Sequence, residues 1–279
     1  MGSHHAYGWG KVGHEVIAQI ADDNLTPKAK SAVDSILKND PEQRDLFASS
    51  TWPDEIRRDS SVPDDQKHPR RHFVDVPIVN NALPSEADRL KLYADPETVT
   101  YGIKYYAAQL RLGTLSPGDR ANDLSWLIHL VGDIHQPLHC ATLITAQYPA
   151  PDGDRGGNEE MVTGPDVTRS GDVVNRELKL HAFWDYSPEL LLPGGNPVDL
   201  AHQLEKAHPE SSYGDAKTAS SSDANNWADE SATLALYAFS AQDGSTLTSA
   251  YVAQTNVIVS DRLAHAGYRL ASVLNQIFK

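Results

Sequence analysis

The sequence predicts an all-α fold, a single compact multi-helix domain. Three observations point there: apolar residues recur at helical spacing in most hydrophobic stretches, period-two alternation is scarce, and neither a linker nor an internal repeat divides the 279 residues. A chain of that length can bury a substantial core.

Each helix has a local reason. "GHEVIAQIADDNL", from Gly13, carries its apolar residues at helical spacing. "TPKAKSAVDSILKN" opens on Thr26 and Pro27, a start signal in which proline takes a position whose N–H has no helical partner. "VTYGIKYYAAQLRLG" and "ANDLSWLIHLVGDIHQ" read as buried or amphipathic helices, and "WADESATLALYAFS" and "VSDRLAHAGYRLASVLNQIF" do the same towards the end. "RHFVDVPIV" is the best candidate for extended structure. The stretch from about Thr145 to Arg176, rich in Gly, Pro and Asp, reads as a long loop of the kind that usually has a function. "HPESSYGDAKTASSSDANN" reads as a plain polar connection.

Composition narrows the function. Hydrophobic residues make up 40% of the chain, yet no apolar run nears the roughly 20 residues that a membrane-spanning helix needs. The net charge is −14, from 24 basic and 38 acidic residues, opposite in sign to what gripping a long duplex requires. The lone cysteine, Cys140, forbids an intrachain disulfide and reads as a small buried hydrophobe. Residues 1–8 are expected to be an expression scar, "MGSHH", followed by the end of a signal-peptide cleavage site. Ala6 and Gly8 are small residues placed for a cut before Trp9, so the working domain is expected to run over 9–279 in a secreted or periplasmic protein.

The stretch "HLVGDIHQPLHC" packs three histidines and an aspartate into twelve residues. His129 and Asp133 are four apart, on one helix face, where two side chains can bite one ion. Pro137 disfavours regular helix beyond them and can re-aim His139. A second pair at the same spacing, His181 and Asp185, lies in "LHAFWD". One such pair is usually a surface hydrogen bond; two separate ones are more telling. His135 falls on another face and reads as structural or exposed. "TWPDEIRRD" sets Asp54 behind a Trp-Pro turn with Arg57 three residues on, and "RRHFVDVP" sets His72 beside Phe73 and Asp75.

"WGKVGHEVIAQIA", "WPDEIR", "HFVDVP", "HLVGDIHQPLH", "DRGGN" and "LHAFWD" occur in the order found in the zinc-dependent single-strand-specific nucleases of the S-one/P-one type. The chain resembles that family from Trp9 to Phe278; its superfamily also holds the zinc-dependent bacterial phospholipases C. The resemblance implies an all-α fold around three zinc ions. Asp54, His72, His129 and Asp133 would hold one ion. The amine and carbonyl of Trp9, with His14 and again Asp133, would hold a second. His139, His181 and Asp185 would hold the third. Zinc accepts such nitrogen and carboxylate donors, and a carboxylate can bridge two ions roughly 3.5–4 Å apart.

The expected reaction is in-line hydrolysis of a phosphodiester in single-stranded DNA and RNA, leaving a 5′-phosphate, with 3′-nucleotidase activity beside it. Asp54 would orient the attacking water and take its proton, and Arg57 would steady phosphoryl charge. Phe73 would stack on an unpaired base and Asp75 would accept from its edge. Asn158, after the tight Gly156-Gly157 turn, would line the pocket. Nucleotides and single strands are the expected partners, with no stable protein partner and no membrane. The rivals are a zinc-dependent phospholipase C and a zinc-stabilised binding protein without turnover.

Overall fold

A computed structural model describes residues 8–279 apart from Gly113 and Ala216. Of the eight residues expected to be scar and cleavage site, 1–7 therefore lie outside the described residues.

The chain is mostly helical, with two small sheets. Helix α1 (Lys11–Asp23) leads into α2 (Pro27–Lys38), which Thr26 caps by accepting from the Ala29 N–H. Next come α3 (Leu46–Ile56), the one-turn α4 (Asp64–Lys67), the strand β1 (Pro77–Val79) and α5 (Glu86–Tyr93). Helices α6 (Val99–Leu112) and α7 (Pro117–Asp133) follow, α7 opening on the side-chain cap Ser116 with Pro117 at its first position. The second half holds β2 (Thr142–Ile144), β3 (Met161–Val167), β4 (Val173–Lys179) and α8 (Leu180–Leu191). It closes with α9 (Pro197–Ala207), α10 (Ala224–Ala238), β5 (Ser245–Thr246) and the long α11 (Ser249–Ile277).

Helix α7 is the spine. Every residue from Leu124 to Asp133 is buried, because α3 and α6 pack along it and α1 and α11 close over it. Helix α1 in turn rests against α11, α9 and α3, with Trp9, Trp184 and Trp227 among the largest fully buried side chains. Cys140 is buried, its S–H directed at the Ile134 carbonyl, as a small core residue should be.

Two local readings change. The stretch from Thr145 to Arg176 is not all loop: β3 and β4 pair antiparallel from Met161↔Lys179 to Val167↔Val173. Gly164 and Pro165 hid the strand, yet residues 161–167 alternate between buried and partly exposed, and that alternation matches a sheet with one face on the core. Asp54 does not follow a Trp-Pro turn; Pro53 lies inside α3 and Asp54 occupies its last turn. The Ser50 carbonyl, one turn before Asp54, accepts from the His129 ring at 2.8 Å. The remaining extended candidate holds, with Pro77–Val79 pairing parallel to Thr142–Ile144 and drawing the segment after His72 beside the one after His139.

Candidate metal centre

Four elements and two connections converge behind α7. Helix α7 contributes His129 and Asp133, α3 contributes Asp54, α1 contributes His14 and α8 contributes His181 and Asp185. His72 comes from the connection before β1, and His139 ends the 3-10 turn Pro137–His139 that Gln136 caps. Pro137 does re-aim the chain, since α7 stops at Asp133.

The side chains gather into three groups that could each hold a metal ion: Asp54, His72 and His129; His14, His129 and Asp133; and His139, His181 and Asp185. In the first, His72 Nδ1 and His129 Nε2 are 3.0 Å apart, and each is 3.0–3.1 Å from Asp133 Oδ2. Asp54 Oδ1 is 3.7 Å and 3.6 Å from the same two nitrogens. Donors sharing a tetrahedral centre about 2 Å away are spaced about 3.3 Å from one another. Asp133 Oδ1 faces the other way, 3.4 Å from His14 Nε2, so one carboxylate serves two groups. In the third, His181 Nε2 is 3.2 Å from His139 Nε2 and 3.5 Å from Asp185 Oδ2.

Ring orientation is set from behind. His129 Nδ1 donates to the Ser50 carbonyl, His139 Nδ1 to the His72 carbonyl at 2.7 Å and His181 Nδ1 to the Gly156 carbonyl at 2.5 Å. Each of these bonds occupies Nδ1 and leaves Nε2 turned into its group. Gln136 was not singled out by sequence, yet its amide donates to Asp185 Oδ1 at 2.7 Å and fixes that carboxylate. His135 is buried and structural: Nδ1 bonds the Val131 carbonyl and Nε2 accepts from Arg269.

Buried groups so close together disturb one another. Burial pushes the His14 imidazole down to about 4 and those of His72 and His181 to about 3. Burial also pushes Asp54 up to about 6. It would lower His129 too, but Asp133 and Asp54 outweigh it and carry His129 to about 9. The same imidazoles hold Asp133 well below the usual carboxylate range despite its burial.

A metal fits these residues. His14 Nε2, Asp54 Oδ1 and Asp133 Oδ1 are buried without a hydrogen-bond partner and belong to the convergent groups. Unsatisfied buried polar atoms are rare and costly. Nitrogen and carboxylate donors with one carboxylate shared are the set zinc accepts in multinuclear hydrolytic sites. Trp9 is buried with them, and the Gly10 N–H beside it donates to the Asp185 carbonyl at 2.8 Å.

Above the first and third groups opens a cavity of about 950 Å³. Arg57, Phe73, Asp75 and Asn158 all line it, together with His72, His139 and His181. Arg57 stands 3.9 Å from Asp54. Asp75 is exposed at the cavity surface, with its carboxyl raised by partial desolvation and by the nearby Asp154 charge. Asn158 donates to the Arg155 carbonyl at 2.9 Å. Sequence reading missed Arg70, Asp152, Arg155 and Lys179, which line the cavity too; nothing in their spacing sets them apart from solvated charges.

A helical domain with three convergent His/Asp groups, two of them opening onto one cavity, defines a candidate multinuclear metallohydrolase. The chain belongs to the S1/P1 nuclease family, whose sequence profile matches residues 9–279. It is 29% identical over 97% of its length to Endonuclease 4 of Arabidopsis thaliana, covering 89% of that protein. Nuclease S1 of Aspergillus oryzae is 27% identical, with 97% of this chain and 92% of the relative aligned. Nuclease P1 of Penicillium citrinum is 25% identical, with 96% and 97% aligned. The implied activity is that of a nuclease, a hydrolase of phosphodiesters.

Proposed function

We propose that the chain is a zinc-dependent nuclease that cleaves single-stranded DNA and RNA to 5′-phosphate products and acts as a 3′-nucleotidase. The observation that carries this reading is the convergence of three His/Asp groups with buried unpartnered donor atoms, two of which reach one cavity through His72, His139 and His181. Asp54, His72, His129 and Asp133 would hold one zinc; Trp9, His14 and Asp133 a second; His139, His181 and Asp185 a third. Bound zinc supplies positive charge at the phosphoryl oxygens and water acidified to near neutrality.

The chain's own groups do the rest. Asp54, held beside the cavity-lining His72 and Arg57, orients the attacking water and takes its proton. Arg57 donates to the phosphoryl oxygens from the cavity wall. Phe73 offers its ring to a base, Asp75 accepts from the base edge, and Asn158 shapes the facing wall. Only an unpaired base presents a face to Phe73, which accounts physically for a single-strand preference. Among the described residues no helix is long and apolar enough to cross a membrane. The secreted or periplasmic location rests on the small residues Ala6 and Gly8 ahead of Trp9.

The test is to incubate zinc-loaded protein with single-stranded DNA, RNA, a 3′-nucleotide and phosphatidylcholine, with and without chelator. Chelator-sensitive hydrolysis of the first three, leaving 5′-phosphate ends on the polymers, is expected. Cleavage of the lipid alone would make the protein a phospholipase C, and full zinc occupancy without turnover would make it a binding protein.

A further inference from the structure

We propose that Arg70, Arg155 and Lys179 form a phosphate-binding rim that holds the uncleaved phosphates flanking the scissile bond, so that the site prefers a polynucleotide to a dinucleotide. The proposal rests on the nuclease reading of the same cavity.

The three cations come from three segments, and each is bound by the backbone to the candidate metal centre. Arg70 is two residues before His72, and Lys179 is two residues before His181 at the junction of β4 and α8. Arg155 immediately precedes Gly156, whose carbonyl orients the His181 ring. All three line the cavity that exposes His72, His139 and His181.

Arg155 carries the strongest signal. Its φ is +58°, the left-handed region that long side chains rarely adopt. The turn holding it there is heavily tied. The Asp154 carboxylate accepts from the Leu143, Gly156 and Gly157 N–H groups, and the Arg155 N–H donates to Thr142 Oγ1 at 3.1 Å. A glycine or asparagine would sit in this backbone with less strain, so the arginine is kept there against conformational preference, as functional positions often are.

Charge supports the same reading. On a body of net charge −14, Arg57, Arg70, Arg155 and Lys179 share the cavity wall with only two carboxylates, Asp75 and Asp152. Arg70, Arg155 and Lys179 line the same cavity as Phe73, Asp75, His139 and His181, so the rim borders both the wall assigned to the base and the third donor group. Arg155 also pairs with Glu159 at 3.5 Å, and Arg70 with Asp95 at 3.6 Å. These are long contacts between solvated groups, which a phosphate can displace at little cost. The cavity, about 950 Å³, lies at the upper end of the range for small-ligand sites, with room for more than one nucleotide.

The experiment compares zinc-loaded wild type with the triple variant Arg70→Gln, Arg155→Gln, Lys179→Gln on a thymidine dinucleotide and a thymidine decamer. The dinucleotide has only the scissile phosphate; the decamer has flanking ones. The ratio of kcat/KM on decamer to that on dinucleotide should drop on the order of tenfold, mainly through KM. The slope of log kcat/KM against log salt on the decamer should become shallower by about 2, from three lost phosphate contacts on a single strand. Arg155→Lys, which keeps the charge, should retain most of the wild-type ratio. An unchanged ratio with an unchanged salt slope overturns the rim. Should wild type cleave neither substrate, fluorescence anisotropy with a labelled decamer separates the two ideas: weaker, less salt-dependent binding by the triple variant keeps the rim and discards the nuclease reading, and equal binding discards both.

Discussion

Gly8 stands hard against the polar atoms that follow it in the fold. A Cβ there would fall 1.6 Å from Asp133 Oδ1 and 2.9 Å from His14 Nε2, so the residue ahead of Trp9 competes for the space of the second donor group. While that residue is attached, the Trp9 nitrogen is an amide without a free lone pair for zinc. Protein beginning at Trp9 should therefore bind more zinc per chain after dialysis, by elemental mass spectrometry, and turn over faster than the full chain. Equal zinc content and equal rates would refute this. At this scale the polar members of the centre were legible because they recur in short motifs: His129 with Asp133, His181 with Asp185, and His72 in "HFVDVP". Gln136 was not, although it stands in the stretch that drew attention first. Its partner, Asp185, is 49 residues away, and no local spacing records that bond.

Elements place these residues by how closely they approach. Helices α1 and α7 meet at Gly132, where an added Cβ would lie 2.8 Å from His14 Nδ1 and 3.1 Å from its Cε1. Gly132→Ala sets two effects against each other. Helix propensity favours alanine by about 1 kcal/mol, whereas forcing a methyl into a packed contact costs about 1–3 kcal/mol. The neighbour is a ring held in a buried polar group, so the packing term should win. Lower thermal stability and reduced zinc content are expected, and a higher melting temperature would refute it. Helices α1, α2, α6, α7, α10 and most of α11 were readable from their periodicity, with α11 extending further toward its N-terminus than expected, whereas α3, α5 and α9 were not. The β3–β4 hairpin was not, because Pro165 argues locally against a strand. Pairing with β4 and the packing of α8 on β3 outweigh that local preference.

Across the whole molecule, a polar network, buried at His135, Ser231, Arg262 and Arg269, clamps the turn after α7 to the last two long helices. Arg262 donates to the His135 carbonyl at 3.2 Å, Ser231 to the Ile134 carbonyl at 2.5 Å, and Arg269 to His135 Nε2 at 2.9 Å. Glu230 accepts from both arginines at 2.7–2.9 Å, and Asp215 accepts from Arg269 and pairs with His265. Burial would raise the Glu230 carboxyl, but the arginine hydrogen bonds and charges bring it down to about 2. A carboxyl depressed in the fold adds stability that is present above its unfolded value of about 4.3 and is lost as pH falls through the folded value. Glu230→Gln should thus cost about 1–2 kcal/mol at pH 7, below the range for fully buried pairs because the Glu230 side chain is 39% exposed. The gap between the urea midpoints of variant and wild type should narrow between pH 4 and pH 2. A gap that does not change with pH would show that the charge is not what matters.

Legible in the sequence alone were α1, α2, α6, α7, α10 and most of α11, the start signal at Thr26, the two four-residue His/Asp spacings and the family motifs. All of these are written within one or two turns of chain, where backbone geometry alone decides which side chains share a face. The tertiary structure decided what is long-range. It made Asp133 the carboxylate shared by two groups, oriented three rings through carbonyls 25 to 79 residues away, and brought Arg70, Arg155 and Lys179 to one cavity. Those relations exist only once the core has closed, because burial gives each unpaired donor its energetic cost and packing sets the distances between side chains that no local pattern connects.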